Sequence, residues 1–186
     1  MEPIVSSFVL VAVSEMGDKT QLLAFSLASR YRRPWVVMAG ILVATVLNHA
    51  LAASVGTWVS AHIPPRVMAG ILAATFVAFG LWTLRPDTLE ESNGPAGLGP
   101  FLTTTVLFFI AEMADKTQLA TVALAARYQS IVLVTVGTTL GMLVSDGLAV
   151  FLGEKLAERV SMTAIRRVAA GIFLAFGLVS AWAALR

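Results

Sequence analysis

Eight residues occur twice in this chain and carry most of its chemistry. Residues 15–22 read EMGDKTQL and residues 112–119 read EMADKTQL, identical at seven of eight positions and separated by an offset of 97. Each copy sets two acids and a lysine into an otherwise apolar run: Glu15, Asp18 and Lys19, then Glu112, Asp115 and Lys116. On a continuous helix each residue turns by about 100°. With Glu15 at 0°, Asp18 falls at about 300°, Lys19 at about 40° and Gln21 at about 240°. The charged groups therefore share one face, and Gln21 extends its edge. Thr20, at about 140°, points away unless the helix is locally opened. The second copy repeats the arrangement, with Thr117 and Gln118 in the corresponding places.

Six ionisable groups in an apolar setting are expensive. At about 2.5–3.5 kcal/mol each in a membrane-spanning helix, the gross cost is roughly 15–20 kcal/mol. Such groups must face inward, pair with one another or coordinate something. Fully ionised, four carboxylates and two lysines sum to −2, which one divalent cation would neutralise. The donors are the carboxylates of Glu15, Asp18, Glu112 and Asp115, joined by the amide oxygens of Gln21 and Gln118. An oxygen-rich set without thiolates or paired histidines favours Ca²⁺, Mg²⁺ or Mn²⁺ over Zn²⁺ or Cu. Without metal, clustered carboxylates repel, and a low dielectric favours their neutral forms. Metal and protons then compete for the same four acids, which is the physical basis of cation/proton exchange.

The rest of the chain reads as the scaffold that carries these groups through a bilayer. Its 186 residues are 58% hydrophobic and 13% charged, about half the charge of a soluble domain. Apolar runs reach the ~20 residues that span a ~30 Å hydrocarbon core. Six spans are predicted: 4–29, 35–60, 67–84, 101–126, 131–153 and a last one running to the C-terminus. The fold class is all-α. The ten uncharged residues 4–13, apolar but for Ser6 and Ser7, would cover ~15 Å, which puts Glu15 and Asp18 near the midplane. No hydrophilic stretch is long enough for a soluble domain. The net charge of +2 comes from a few loop arginines and is not a nucleic-acid footprint. The absence of cysteine excludes disulfides and thiolate metal sites. The N-terminus reads as the start of the first span and not as a removed signal.

The repeat extends beyond the motif. At the same offset Gly40 matches Gly137, Leu51 matches Leu148, Gly56 matches Gly153, and Phe79-Gly80 matches Phe176-Gly177. The chain thus divides into a three-helix repeat over 1–85, a polar linker over 86–100 and a second repeat over 101–186. Three spans are an odd number, so the second repeat enters the membrane inverted, and the site lies where the repeats meet. The connectors after spans one, three and five hold eight Lys and Arg against three on the other side. The linker is therefore expected in the cytoplasm and both termini outside.

Other polar residues have weaker readings. Lys19 and Lys116 are favoured as counter-ions to the acids and not as ligands. Asn48 and His49 match Ser145 and Asp146 by offset. Asn48, Thr20, Thr117 and Asp146 are candidates to line the pathway or support the ligands, Asp146 because an unpaired intramembrane acid is costly. A lone intramembrane histidine is more often hydrogen-bonded to a neighbouring helix than a ligand. Met16 and Met113 read as packing residues. Gly137 and Gly141 form a GxxxG, the spacing of close helix contact.

The double motif resembles the signature of the Gdt family of divalent-cation/proton antiporters, E-x-G-D-K/R-S/T once in each half of a six-span protein. That family belongs to the lysine-exporter superfamily and includes Golgi proteins and bacterial manganese exporters. The resemblance covers the whole chain and places the family's functional acids on Glu15, Asp18, Glu112 and Asp115. It departs at Ala114, where the family usually has glycine, so the second motif helix is expected to be less distorted than the first. The resemblance implies a secondary transporter, not an enzyme, that exports Mn²⁺, with Ca²⁺ as the second candidate, from the cytoplasm against protons. The metal is then substrate, and no cofactor is expected. The partners are the cation, protons and the lipid bilayer of a cytoplasmic (inner) membrane, with no nucleic acid, and the chain is a monomer or homodimer. No G-x-x-x-x-G-K-S/T is present, so an ion gradient is the expected energy source. Two alternatives remain open: an exporter of a cationic amino acid such as lysine, and a non-transporting membrane scaffold.

Overall fold

Prolines and aspartates set where the helices of this chain begin. The computed structural model describes residues 1–85, 98–113, 115–152 and 161–185. Eight helices lie in those residues: α1 (Glu2–Glu15), α2 (Lys19–Tyr31), α3 (Pro34–His62), α4 (Pro65–Thr83), α5 (Pro100–Glu112), α6 (Lys116–Tyr128), α7 (Ile131–Leu152) and α8 (Met162–Leu185). No strand occurs among the described residues. Most of the linker, the connector 154–159, Gly153, Ala114 and Arg186 lie outside them.

Helices α3, α4 and α5 each begin with proline, whose fixed φ suits a first helical turn and whose missing N–H costs nothing there. Helices α2 and α6 begin after Asp18 and Asp115. They end on Arg32 (φ 52°) and Gln129 (φ 50°), left-handed residues at offset 97. The N–H of each closes the last turn, onto Ala28 O at 2.9 Å and Ala125 O at 2.8 Å.

Four helices are long and apolar enough to cross a membrane: α3, α4, α7 and α8 from Thr163. Their bounds agree with the predicted spans two, three, five and six to within a few residues. The predicted spans one and four are not single helices. Each is interrupted at its motif, between Glu15 and Lys19 and between Glu112 and Lys116. Helix α1, with 14 residues, is about 21 Å long, and α2, with 13, about 20 Å. Neither alone matches a ~30 Å core.

The two halves pack across each other. Helix α1 lies along α7, and its counterpart α5 lies along α3. Helix α6 packs on α3 and α2 on α7, and α3 and α7 touch in the middle. The third helices, α4 and α8, form their own pair with an aromatic seam of Phe76, Phe79, Phe173 and Phe176, ring centroids 5.4–6.4 Å apart. Glycines let the backbones approach, Gly56 of α3 against Val122 of α6 most closely, and the GxxxG of α7 against α1. A Cβ on Gly141 would sit 2.7 Å from Phe8 O and 2.9 Å from Ala12 N, and one on Gly137 2.9 Å from Ser7 Cβ. Gly171 on α8 faces open space.

Gly141→Leu should therefore force α1 off α7 and cost about 1–3 kcal/mol. Gly171→Ala should be neutral or stabilising. Thermal unfolding of the detergent-solubilised chain compares the two.

Candidate functional site: a buried carboxylate cluster

The helix breaks build the site. After Glu15 the chain leaves the helix through Met16 (ψ 118°) and Gly17, which takes φ 77°, a left-handed conformation that glycine adopts without Cβ strain. Asp18 is extended (φ −87°, ψ 170°), and its carboxylate accepts the Lys19 N–H at 2.7 Å, capping α2. Gln21 reaches back, its Oε1 accepting the Gly17 N–H at 2.9 Å. In the second copy Met113 and Asp115 take the same extended conformations. The expectation that Ala114 leaves the second helix less distorted does not hold. Both copies break at the same place, because the extended aspartate that starts the next helix is common to both. D-x-x-Q is a capping signature that the sequence displayed in Asp18–Gln21 and Asp115–Gln118. A helical wheel drawn straight through the motif passes over it.

The break is the local opening that brings Thr20 onto the charged face. With α2 restarted, its hydroxyl donates to Glu15 Oε2 at 2.6 Å. Thr117 donates to Glu112 Oε2 at 3.0 Å and lies 3.4 Å from Asp115 Oδ2. Each glutamate is thus held by the threonine five residues on.

The lysines pair across the halves. Lys19 Nζ lies 2.8 Å from Asp115 Oδ1, and Lys116 Nζ lies 2.8 Å from Asp18 Oδ2. This is the counter-ion role expected of them, with each lysine on the other copy's aspartate. The crossed pairs compensate both aspartates. Glu15 and Glu112, both with no exposed surface, lie outside these two pairs, with Lys116 within electrostatic reach of Glu15 and Lys19 within reach of Glu112. Each glutamate keeps an Oε1 with no hydrogen-bond partner among the described residues. Carboxylate oxygens of Glu15, Glu112 and Asp115 lie within 4.8 Å of one another and can hold a cation between them.

The glutamines stitch each motif to the other half. Gln21 Nε2 donates to Ser145 O at 3.0 Å, and Gln118 Nε2 donates to Asn48 Oδ1 at 3.3 Å. Asn48 in turn donates to Phe109 O at 3.0 Å. Ser145 and Asn48 are counterparts at offset 97. Asp146 is fully buried, within electrostatic reach of Glu15, Asp18 and Glu112, and neither of its carboxylate oxygens has a hydrogen-bond partner among the described residues. His49 is also fully buried. The hydrogen bond expected of it is not found: neither ring nitrogen has a partner among the described residues. Met16 is partly buried, whereas Met113 is 56% exposed and so does not pack inside as expected.

Broken helices meeting at a buried, acid-rich centre define a membrane transporter for small cations. The sequence comparisons agree. The family described as "Divalent cation/proton antiporter GDT1" matches residues 3–91 and 100–186, and the chain belongs to that family. It is 42% identical to a Vibrio cholerae protein named "Putative manganese exporter", over 98% of this chain and 92% of that one. It is 32% identical to a GDT1-like protein of Synechocystis, over 95% of each chain. GDT1-like protein 5 of Arabidopsis thaliana is 30% identical, over 94% of this chain and 92% of its own. No solved structure matches the chain.

Removing one partner of a buried ion pair leaves an uncompensated charge, at about 3–5 kcal/mol. Lys116→Met should therefore destabilise strongly, because Lys116 and Asp18 are both buried. Lys19→Met should cost less, because the Lys19 side chain is 27% exposed. Lys116→Met combined with Asp18→Asn should recover most of the loss. Thermal melts of the three variants check the order.

Proposed function

We propose that the chain exports Mn²⁺ from the cytoplasm in exchange for protons, through one site shared by its two halves. The observation that carries this reading is the convergence of Glu15, Glu112 and Asp115 carboxylates, drawn from both motif copies, in a buried centre. Four carboxylates and two lysines carry a formal charge of −2 when ionised, which suits one divalent ion. Hard oxygen donors favour Mn²⁺, Ca²⁺ or Mg²⁺, and the 42% identical relative is named for manganese. The lysines already occupy the aspartates, which favours an inorganic cation over an ammonium guest.

In this reading α1–α2 and α5–α6 each cross the membrane as one broken span, and the chain is two inverted three-helix repeats with six spans. Glu15, Asp18, Glu112 and Asp115 bind the ion and carry the protons. Gln21 and Gln118 hold the cradle and offer their remaining amide-oxygen lone pairs to the ion. Asp146 and Asn48 support it from the opposite half, and the positive surplus around the linker places both termini outside a cytoplasmic membrane. Entry of the cation displaces protons from the carboxylates. Its departure on the other side leaves them to reprotonate there.

Purified chain in proteoliposomes with an internal pH dye tests this. External Mn²⁺ should drive proton efflux, and Glu15→Gln or Glu112→Gln should each abolish it. Lysine should drive none. A dye response to lysine, or an unchanged Mn²⁺ response in either glutamine variant, would overturn the reading.

A further inference from the structure

The sequence repeat is close to symmetric, but the packing is not. The α4–α8 pair lies against α1, through α8, and against α6, through α4. The symmetry-related contacts, α4 on α5 and α8 on α2, are marginal or absent among the described residues. In the proposed topology α1 and α6 occupy the half of the membrane that holds the termini, and α2 and α5 the half that faces the linker. The pair therefore packs against the terminal half, with a cavity left beside Ala126, Arg127 and Ser180, and stands off the linker half. Exposure follows the same division. Ala123 and Ala126 on α6 are buried, whereas their counterparts Ser26 and Ser29 on α2 are exposed. The Lys116 side chain is 5% exposed and that of Lys19 27%.

Beside the apolar packing, a polar contact joins α6 to α8 on this side. Arg127, in the last turn of α6, donates to Ser180 Oγ on α8 at 3.1 Å and places its guanidinium 5.3 Å from the centre of the Phe176 ring. A charge-assisted hydrogen bond and a cation–π contact join the two helices there. At offset 97 the chain carries the same three groups on the linker side: Arg30, Thr83 and Phe79. There the contact is not made. Arg30 is exposed, with its guanidinium over the ring of its neighbour Tyr31. The Thr83 hydroxyl is buried with no hydrogen-bond partner among the described residues. A buried hydroxyl left unsatisfied is a cost in this conformation.

We propose that Arg127 and Arg30 are alternating gate latches. Arg127 closes the terminal side on Ser180 and Phe176 in the conformation seen here. In the opposite conformation it releases, and Arg30 closes the linker side on Thr83 and Phe79. The inference rests on the alternating-access reading above, and it assigns the gating residues that reading lacks.

The chain has no cysteine, so single-cysteine reporters are clean. Ser26→Cys reports the linker side and Ala123→Cys the terminal side, each through its rate of labelling by a membrane-impermeant maleimide. Unmodified latches should give fast labelling at position 26 and slow labelling at 123. Arg127→Ala should reverse this, raising the rate at 123 and lowering it at 26 by about tenfold, the shift expected from losing one charge-assisted hydrogen bond. Ser180→Ala, a milder change, should move both rates in the same directions by a smaller factor. Adding Arg30→Ala to Arg127→Ala should restore labelling at 26. If 123 opens while 26 is unchanged, Arg127 is a local structural contact and the proposal falls. It also falls if Arg30→Ala alters neither rate. Labelling is read without cargo, so reciprocal rates in a chain that fails to exchange Mn²⁺ would keep the latches and reject the cargo.

Discussion

The fold depends on how four charges are held away from water. Lys19 lies on Asp115 and Lys116 on Asp18, both at 2.8 Å and both across the two halves of the chain. In a low-dielectric interior such charges are tolerable only when paired. Because each lysine takes the other copy's aspartate, neither motif can bury its charge alone. The halves are therefore obliged to meet at this point. The crossed packing of α1 on α7 and α5 on α3, closed up by Gly137 and Gly141, follows from the same requirement.

The broken helices serve that pairing. An unbroken helix would turn Thr20 away from Glu15 and leave no free helix start at the centre. The interruption brings the threonine hydroxyls onto the glutamates and puts two helix N-termini beside the acids, where their partial positive charge favours anions. With the aspartates compensated by lysine and the glutamates oriented by threonine, the centre presents carboxylate oxygens toward a common point. A cation bound there, as proposed, would supply the partner that Oε1 of Glu15 and of Glu112 lacks among the described residues.

Much of this was legible in the sequence. The duplicated motif, the offset of 97, the four long spans and the counter-ion role of the lysines all follow from composition and spacing. A continuous wheel leaves the helix break as a condition on Thr20 and does not locate it, because the break depends on Asp18 and Asp115 standing extended at the next helix starts and on Gly17 taking φ 77°. The partner of each lysine is also beyond spacing, because it depends on how two segments about a hundred residues apart cross. The same holds for Ser145 as an acceptor for Gln21. The unlike settings of Arg30 and Arg127 could not be read at all: a near-symmetric sequence does not say which side of the molecule is closed in a given conformation.

The shared site is the central claim, and counting ions tests it most directly. Titrating Mn²⁺ into the purified chain, followed by the loss of the free-ion paramagnetic resonance signal, gives the number bound and its dependence on each half. A site built from both motifs predicts one ion per chain, with binding lost equally in Glu15→Gln and in Glu112→Gln. Two ions per chain, with each variant retaining one, would show two independent sites and contradict the account.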